Sequence, residues 1–215
     1  MRQLWAEAVG TFFLFAAVIG SGILAQQLGS GEVLLGVLVV TLATVMMLQL
    51  LVTMLGPVSG AQFNPAVSLV LRLRGQGSWG GMLVMIAVQI VAGIAAVVCV
   101  HAMFEQPILQ VASQPRFGPG LWLGEFIATF GLLLTVLLTG RHAPHAGATS
   151  VALYIGAAIL FTSSTCFANP AITIARSLTD TFTGIAPGSV APFIAAQFAG
   201  ALAAHALERA LYPEG

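Results

Sequence analysis

The sequence predicts an all-α membrane protein: six transmembrane helices plus two short re-entrant half-helices, arranged as an inverted repeat. Three observations predict it. The chain is too apolar for water, its apolar residues fall into six segments of spanning length, and the tripeptide Asn-Pro-Ala occurs once in each half, in a segment too short to span.

Of 215 residues, 58% are hydrophobic and 7% are charged, and the mean hydropathy is +0.99. A soluble domain carries about 25% charged residues, so this chain has too little polar surface to cover itself in water. One membrane-embedded unit over 1–215 is expected, with repeats at about 1–108 and 119–215. The formal charge is zero and no basic run occurs, which excludes nucleic acid as a partner and leaves the lipid bilayer as the surroundings. Two cysteines, Cys99 and Cys166, are too few for a disulfide framework or a cysteine zinc site; Cys99 is expected in the core.

A membrane helix needs roughly 20 mainly apolar residues. The segments of that length are about Leu4–Leu28, Val33–Leu55, Trp79–Met103, Leu121–Thr139, Thr149–Cys166 and Val190–Leu211. Glu7 interrupts the first apolar run and no cleavage pattern follows, so that segment is read as a retained span rather than a leader. Trp5, Trp79, Trp122 and Tyr212 fall near span ends, where an aromatic belt belongs. Small residues such as Ala92, Gly93, Gly200 and Ala201 suit close helix contact. Gly56–Gly77 and Phe167–Ser189 are too short to cross and are interrupted at matching places, the pattern of re-entrant half-helices. Orientation follows from the arginines: Arg2, Arg72, Arg74, Arg141 and Arg209 share one side, Arg116 and Arg176 the other, which predicts cytoplasmic termini in a plasma (inner) membrane.

The repeat has ordered correspondences. Glu7-x-x-x-Thr11-Phe12 matches Glu125-x-x-x-Thr129-Phe130, Asn64-Pro65-Ala66 matches Asn169-Pro170-Ala171, and Gln89 with Ala92 matches Gln197 with Gly200. Three spans per half is an odd number, so the second half must insert upside-down. Asn is a preferred helix N-cap and Pro suits the first helical position, so each box reads as a half-helix start, Pro65 to about Leu73 and Pro170 to about Leu178. In an inverted repeat the two starts face each other near the bilayer centre, and their positive dipole ends disfavour a cation there. Each Asn carbonyl can cap its helix while the amide NH₂ donates to a passing oxygen.

Glu7 and Glu125 are ionisable groups inside spans, costly there and functional by default. They read either as braces for the re-entrant loops or as members of a proton relay; their equivalent repeat positions, with no chain of acids or histidines beyond, favour the brace. His142 and His145 lack a further ligand nearby and read as a polar loop, and His101 and His205 as interfacial groups, so neither a metal nor any other cofactor is expected. No Ser/His/Asp, paired-acid or His-cluster constellation lies at shared depth, so no enzyme is expected either.

Over nearly its whole length the chain resembles the aquaporin and aquaglyceroporin family. The residues that carry the resemblance are Ser59-Gly60-Ala61-Gln62-Phe63-Asn64-Pro65-Ala66-Val67-Ser68, Ala168-Asn169-Pro170-Ala171 and the paired Glu and Gln elements. The resemblance implies a homotetramer with one pore per subunit, passing water or small uncharged solutes without energy input. It implies a loop-bracing role for Glu7 and Glu125, and filter positions at Thr44, Ala157, Cys166 and Ile172. Members of the family generally place an arginine directly after the second box, where this chain has Ile172. Arg176 stands four residues later, and two readings stay open: its guanidinium reaches back toward the constriction, or it pairs with Asp180. Small and medium filter residues imply a wider constriction that admits glycerol-like polyols, urea-like solutes or uncharged metalloid acids such as arsenite. A secondary transporter is the rival reading, since inverted repeats with broken helices also serve alternating access.

Overall fold

A computed structural model of the chain describes residues 1–29 and 31–213; the last two positions expected in the second repeat lie outside the described residues. Its helices are α1 (Arg2–Leu28), α2 (Val33–Ser59), α3 (Pro65–Leu73), α4 (Trp79–Met103), α5 (Pro119–His142), α6 (Gly147–Phe161), α7 (Pro170–Arg176) and α8 (Pro187–Leu211). Six are long and apolar enough to cross a membrane, the one ending in α6 starting at Pro144 with a single 3₁₀ turn. The other two, α3 and α7, have nine and seven residues and cannot.

The halves correspond element by element. α1 packs on α2 and α4 as α5 packs on α6 and α8, and α2 meets α6 across the halves. Each half-helix lies between the last spans of both repeats, α3 and α7 alike touching α4 and α8. Close approach depends on small residues. A Cβ at Gly200 would stand 2.3 Å from the Phe126 carbonyl oxygen and 3.0 Å from the Phe130 amide nitrogen of α5. Backbone atoms cannot rotate aside, so Gly200→Ala is expected to destabilise the fold by about 1–3 kcal/mol. A lowered melting temperature in detergent checks this.

Most expected span ends shift by a few residues, the second running to Ser59, the fourth to His142 and the sixth starting at Pro187; two shifts bear on the site. The fifth span ends at Phe161 rather than Cys166, because residues 162–168 form a non-helical approach to the second box. The second half-helix ends at Arg176 rather than Leu178. Cys99 lies on an exposed face of α4, not in the core. His101 is buried rather than interfacial: its Nδ1 and Nε2 lie 3.0 Å from the Ile108 carbonyl and 2.8 Å from Thr179 Oγ1.

Arginines separate to the two ends. Arg74 and Arg141 both pair with buried Glu208, joining the C-terminal ends of α3, α5 and α8. At the other end Asp180 accepts from the Ser113 amide and hydroxyl, each at 2.8 Å, and these donors hold its carboxyl below the usual carboxylate range.

Candidate functional site

The two Asn-Pro-Ala boxes meet. Asn64 Oδ1 accepts from the Ala66 amide at 2.9 Å, and Asn169 Oδ1 from the Ala171 amide at 2.9 Å, the expected N-cap bonds. Each side-chain amide crosses to the other half: Asn64 Nδ2 donates to the Ala168 carbonyl and Asn169 Nδ2 to the Phe63 carbonyl, both at 2.8 Å. One amide hydrogen per Asn is therefore spent on the crossing bond, leaving the other for a passing oxygen.

The approaches to the boxes are strained in the same way. Ala61 and Phe63 have φ of 48° and 47°, and Cys166 and Ala168 have φ of 49° and 46°, positions three and one before each Asn. Left-handed non-glycine residues cost roughly 1 kcal/mol or more each and persist only where their surroundings over-determine them. Two carboxylates do so. Glu7 accepts from Ser59 Oγ (2.7 Å), the Gln62 and Phe63 amides (2.9 and 2.8 Å) and Gln89 Nε2 (2.9 Å). Glu125 accepts from the Phe167 and Ala168 amides, both at 2.8 Å, and from Gln197 Nε2 at 2.5 Å. Both carboxylates are fully buried. The repeated glutamines continue into the half-helices, Gln89 donating to Ser68 Oγ at 3.1 Å and Gln197 to Thr173 Oγ1 at 2.9 Å.

These loops form one wall of a cavity of about 530 Å³. It runs past Leu71, Gly140 and Gly147 toward one end and Val33, Gln114 and Phe182 toward the other, with Asn64 and Asn169 between. The carbonyls of Gly60, Ala61 and Gln62, and those of Thr165, Cys166 and Phe167, accept no hydrogen bond among the described residues. The facing wall is aliphatic, with Val40 and Leu48 of α2, Leu132 and Val136 of α5, and Ile155 and Ile159 of α6.

Residues 1–167 match the family model described as Major intrinsic protein. Across 97% of its length the chain is 46% identical to the aquaglyceroporin AqpS of Rhizobium meliloti (strain 1021), of which it covers 89%. The chain belongs to the major intrinsic protein family. It is a multi-pass membrane channel and not an enzyme. It is also 31% identical to aquaporin NIP6-1 of Arabidopsis thaliana, over 63% of this chain and 44% of that one. The X-ray structure of the aquaglyceroporin from Plasmodium falciparum shares the fold, at a TM-score of 0.75 and 20% identity, covering 99% of this chain and 97% of that one. The matched family region stops at residue 167, so the second box and its Ile172 lie beyond it.

Within this major intrinsic protein, Thr44, Cys166, Ile172 and Arg176 all line the cavity. Ala157 does not. It is exposed on the outer face of α6, while Ile155 and Ile159 line the cavity from the same helix. A two-residue displacement turns a side chain by about 200° around a helix, and the misplacement follows from counting back from the second box across residues 162–168, which are not helical. Pro65, Ala66, Pro170 and Ala171 are buried where the half-helices begin, behind the cavity surface. Arg176 does not pair with Asp180. Its Nε donates to the Thr183 carbonyl, and its guanidinium carbon lies 3.4 Å from the centre of the Phe167 ring.

Sequence reasoning missed Arg116 as a lining residue. Its Nε donates to the Gly184 carbonyl at 2.9 Å, and its guanidinium carbon lies 5.1 Å from the Phe167 ring centre. Burial pulls its pKa below the ordinary arginine value, against an opposing pull from Glu125. No local pattern marks it, because the contact that places it joins residues far apart in the chain.

Proposed function

We propose that the cavity is a passive path for water and small uncharged solutes, glycerol-like polyols and uncharged metalloid acids such as arsenite among them. The observation that carries this is the two-sided lining. A polyol presents hydroxyls along one edge and C–H groups along the other, and here a strip of free carbonyls with two Asn amides faces an aliphatic wall. Hydroxyls donate to the carbonyls and accept from Asn64 and Asn169, while the carbon edge slides along Val and Ile side chains. The similarity to an aquaglyceroporin supports the same reading.

Cations are excluded by two features. The N-termini of α3 and α7 bring partial positive charge, up to roughly half an elementary charge each, to the point where the Asn residues meet. Toward the end that holds Arg116, Arg176 adds a full charge and takes the cation-rejecting role vacated at Ile172. Ile172, Thr44 and Cys166 leave the constriction wide enough for a three-carbon solute, and Glu7 and Glu125 fix the loops. The five-to-two division of arginines supports cytoplasmic termini; the proposed setting is the plasma (inner) membrane, with each subunit of a homotetramer carrying its own path.

Light scattering from proteoliposomes challenged with water, glycerol and arsenous acid tests the reading. All three are expected to cross down their gradients, unaffected by an imposed ion gradient. Accumulation that requires an ion gradient would replace the channel with a transporter.

A further inference from the structure

Arg116 and Arg176 share the cavity without a carboxylate partner. The ion pairs among the described residues are those of Glu208, at the other end of the molecule. Glu125 spends both oxygens on the Phe167 and Ala168 amides and on Gln197. Each guanidinium is anchored through Nε to a backbone carbonyl, Gly184 for Arg116 and Thr183 for Arg176. The η nitrogens of both make no hydrogen bond among the described residues, although Arg176 is only 6% exposed.

The two cations are close. Their carbons lie 5.1 Å and 3.4 Å from the centre of one ring, that of Phe167, so they stand no further apart than those distances laid end to end. An oxyanion that accepts from two guanidinium groups has its centre about 4 Å from each guanidinium carbon, which this spacing allows. Two anchored, unpaired cations in a partly dehydrated recess repel one another, and a bound anion removes that repulsion.

We propose that the part of the cavity between Arg116 and Arg176 binds a small monovalent oxyanion, which occupies the solute path and inhibits flux. The inference rests on the reading of this cavity as the path. The anion is held rather than passed: beyond the Asn pair the wall offers Leu14, Leu48, Val52 and Leu71, with no further cation among the described residues lining it to replace lost water.

Nitrate is the probe, because it stays ionised and leaves the pH unchanged. Glycerol flux into proteoliposomes is measured with nitrate equal on both sides, replacing gluconate at constant ionic strength. Saturable inhibition is expected for the wild type. In Arg116→Gln the half-inhibiting concentration is expected to rise by about tenfold or more, because the anion then has one guanidinium to accept from instead of two. Flux insensitive to nitrate, equal inhibition of both proteins, or nitrate uptake by the vesicles would overturn the proposal. Absence of glycerol flux in gluconate alone would instead strike the channel reading, so the two failures are distinguishable.

Discussion

Glu125→Ala is expected to lose nearly all solute permeability in reconstituted vesicles, and Glu7→Ala to do the same. The Glu125 substitution leaves the Phe167 and Ala168 amides and Gln197 Nε2 without an acceptor in a fully buried place. Each orphaned buried donor costs roughly 1–3 kcal/mol, several kcal/mol in all. The same bonds restrain Cys166 and Ala168 in left-handed backbone that stores further strain. Released, the loop relaxes into the cavity and carries away the Ala168 carbonyl that receives Asn64. Glu125→Gln keeps one acceptor oxygen but sets an NH₂ against a donor, so an intermediate loss is expected. Flux close to wild type in a folded Glu125→Ala protein would remove the carboxylate from the account.

Ile172→Arg is expected to cut glycerol flux by about tenfold or more while leaving water flux largely in place, because pore bore and lining donors set what passes. Ile172 lines the cavity on the first turn of α7, one helical turn before Arg176. A guanidinium there fills space that an aliphatic side chain leaves open, and adds a third cation beside Arg116 and Arg176. A polyol needs that width; a single file of water does not. Glycerol and water rates measured on one preparation check the split, and equal changes in both rates would mean that this position does not set the bore.

What the sequence made legible was whatever it wrote twice. The Asn boxes, the glutamates and the glutamines recur in order, and the structure bonds each glutamate to its glutamine within a half and ties the two Asn boxes to one another across the halves. Apolar run length is enough to find all six spans. Register across loops is not legible in the same way. Counting from a box puts Ala157 in the filter, but α6 stops at Phe161 and a non-helical segment intervenes, so the helical phase is lost. An Arg176–Asp180 pair requires a continuing helix, whereas α7 ends at Arg176 and Asp180 turns to Ser113. Arg116 and the burial of His101 depend on contacts between distant segments, with Phe167 and Thr179 respectively. Periodicity carries no record of such contacts.

Mercury blockade tests most directly whether the cavity is the path. Cys166 lines it, while Cys99 is exposed on α4 away from it. Mercuric chloride is expected to abolish glycerol flux through the wild type and Cys99→Ser, and to leave Cys166→Ser conducting. Block that persists in Cys166→Ser, or that disappears in Cys99→Ser, would put the route for solute somewhere other than between Asn64 and Asn169.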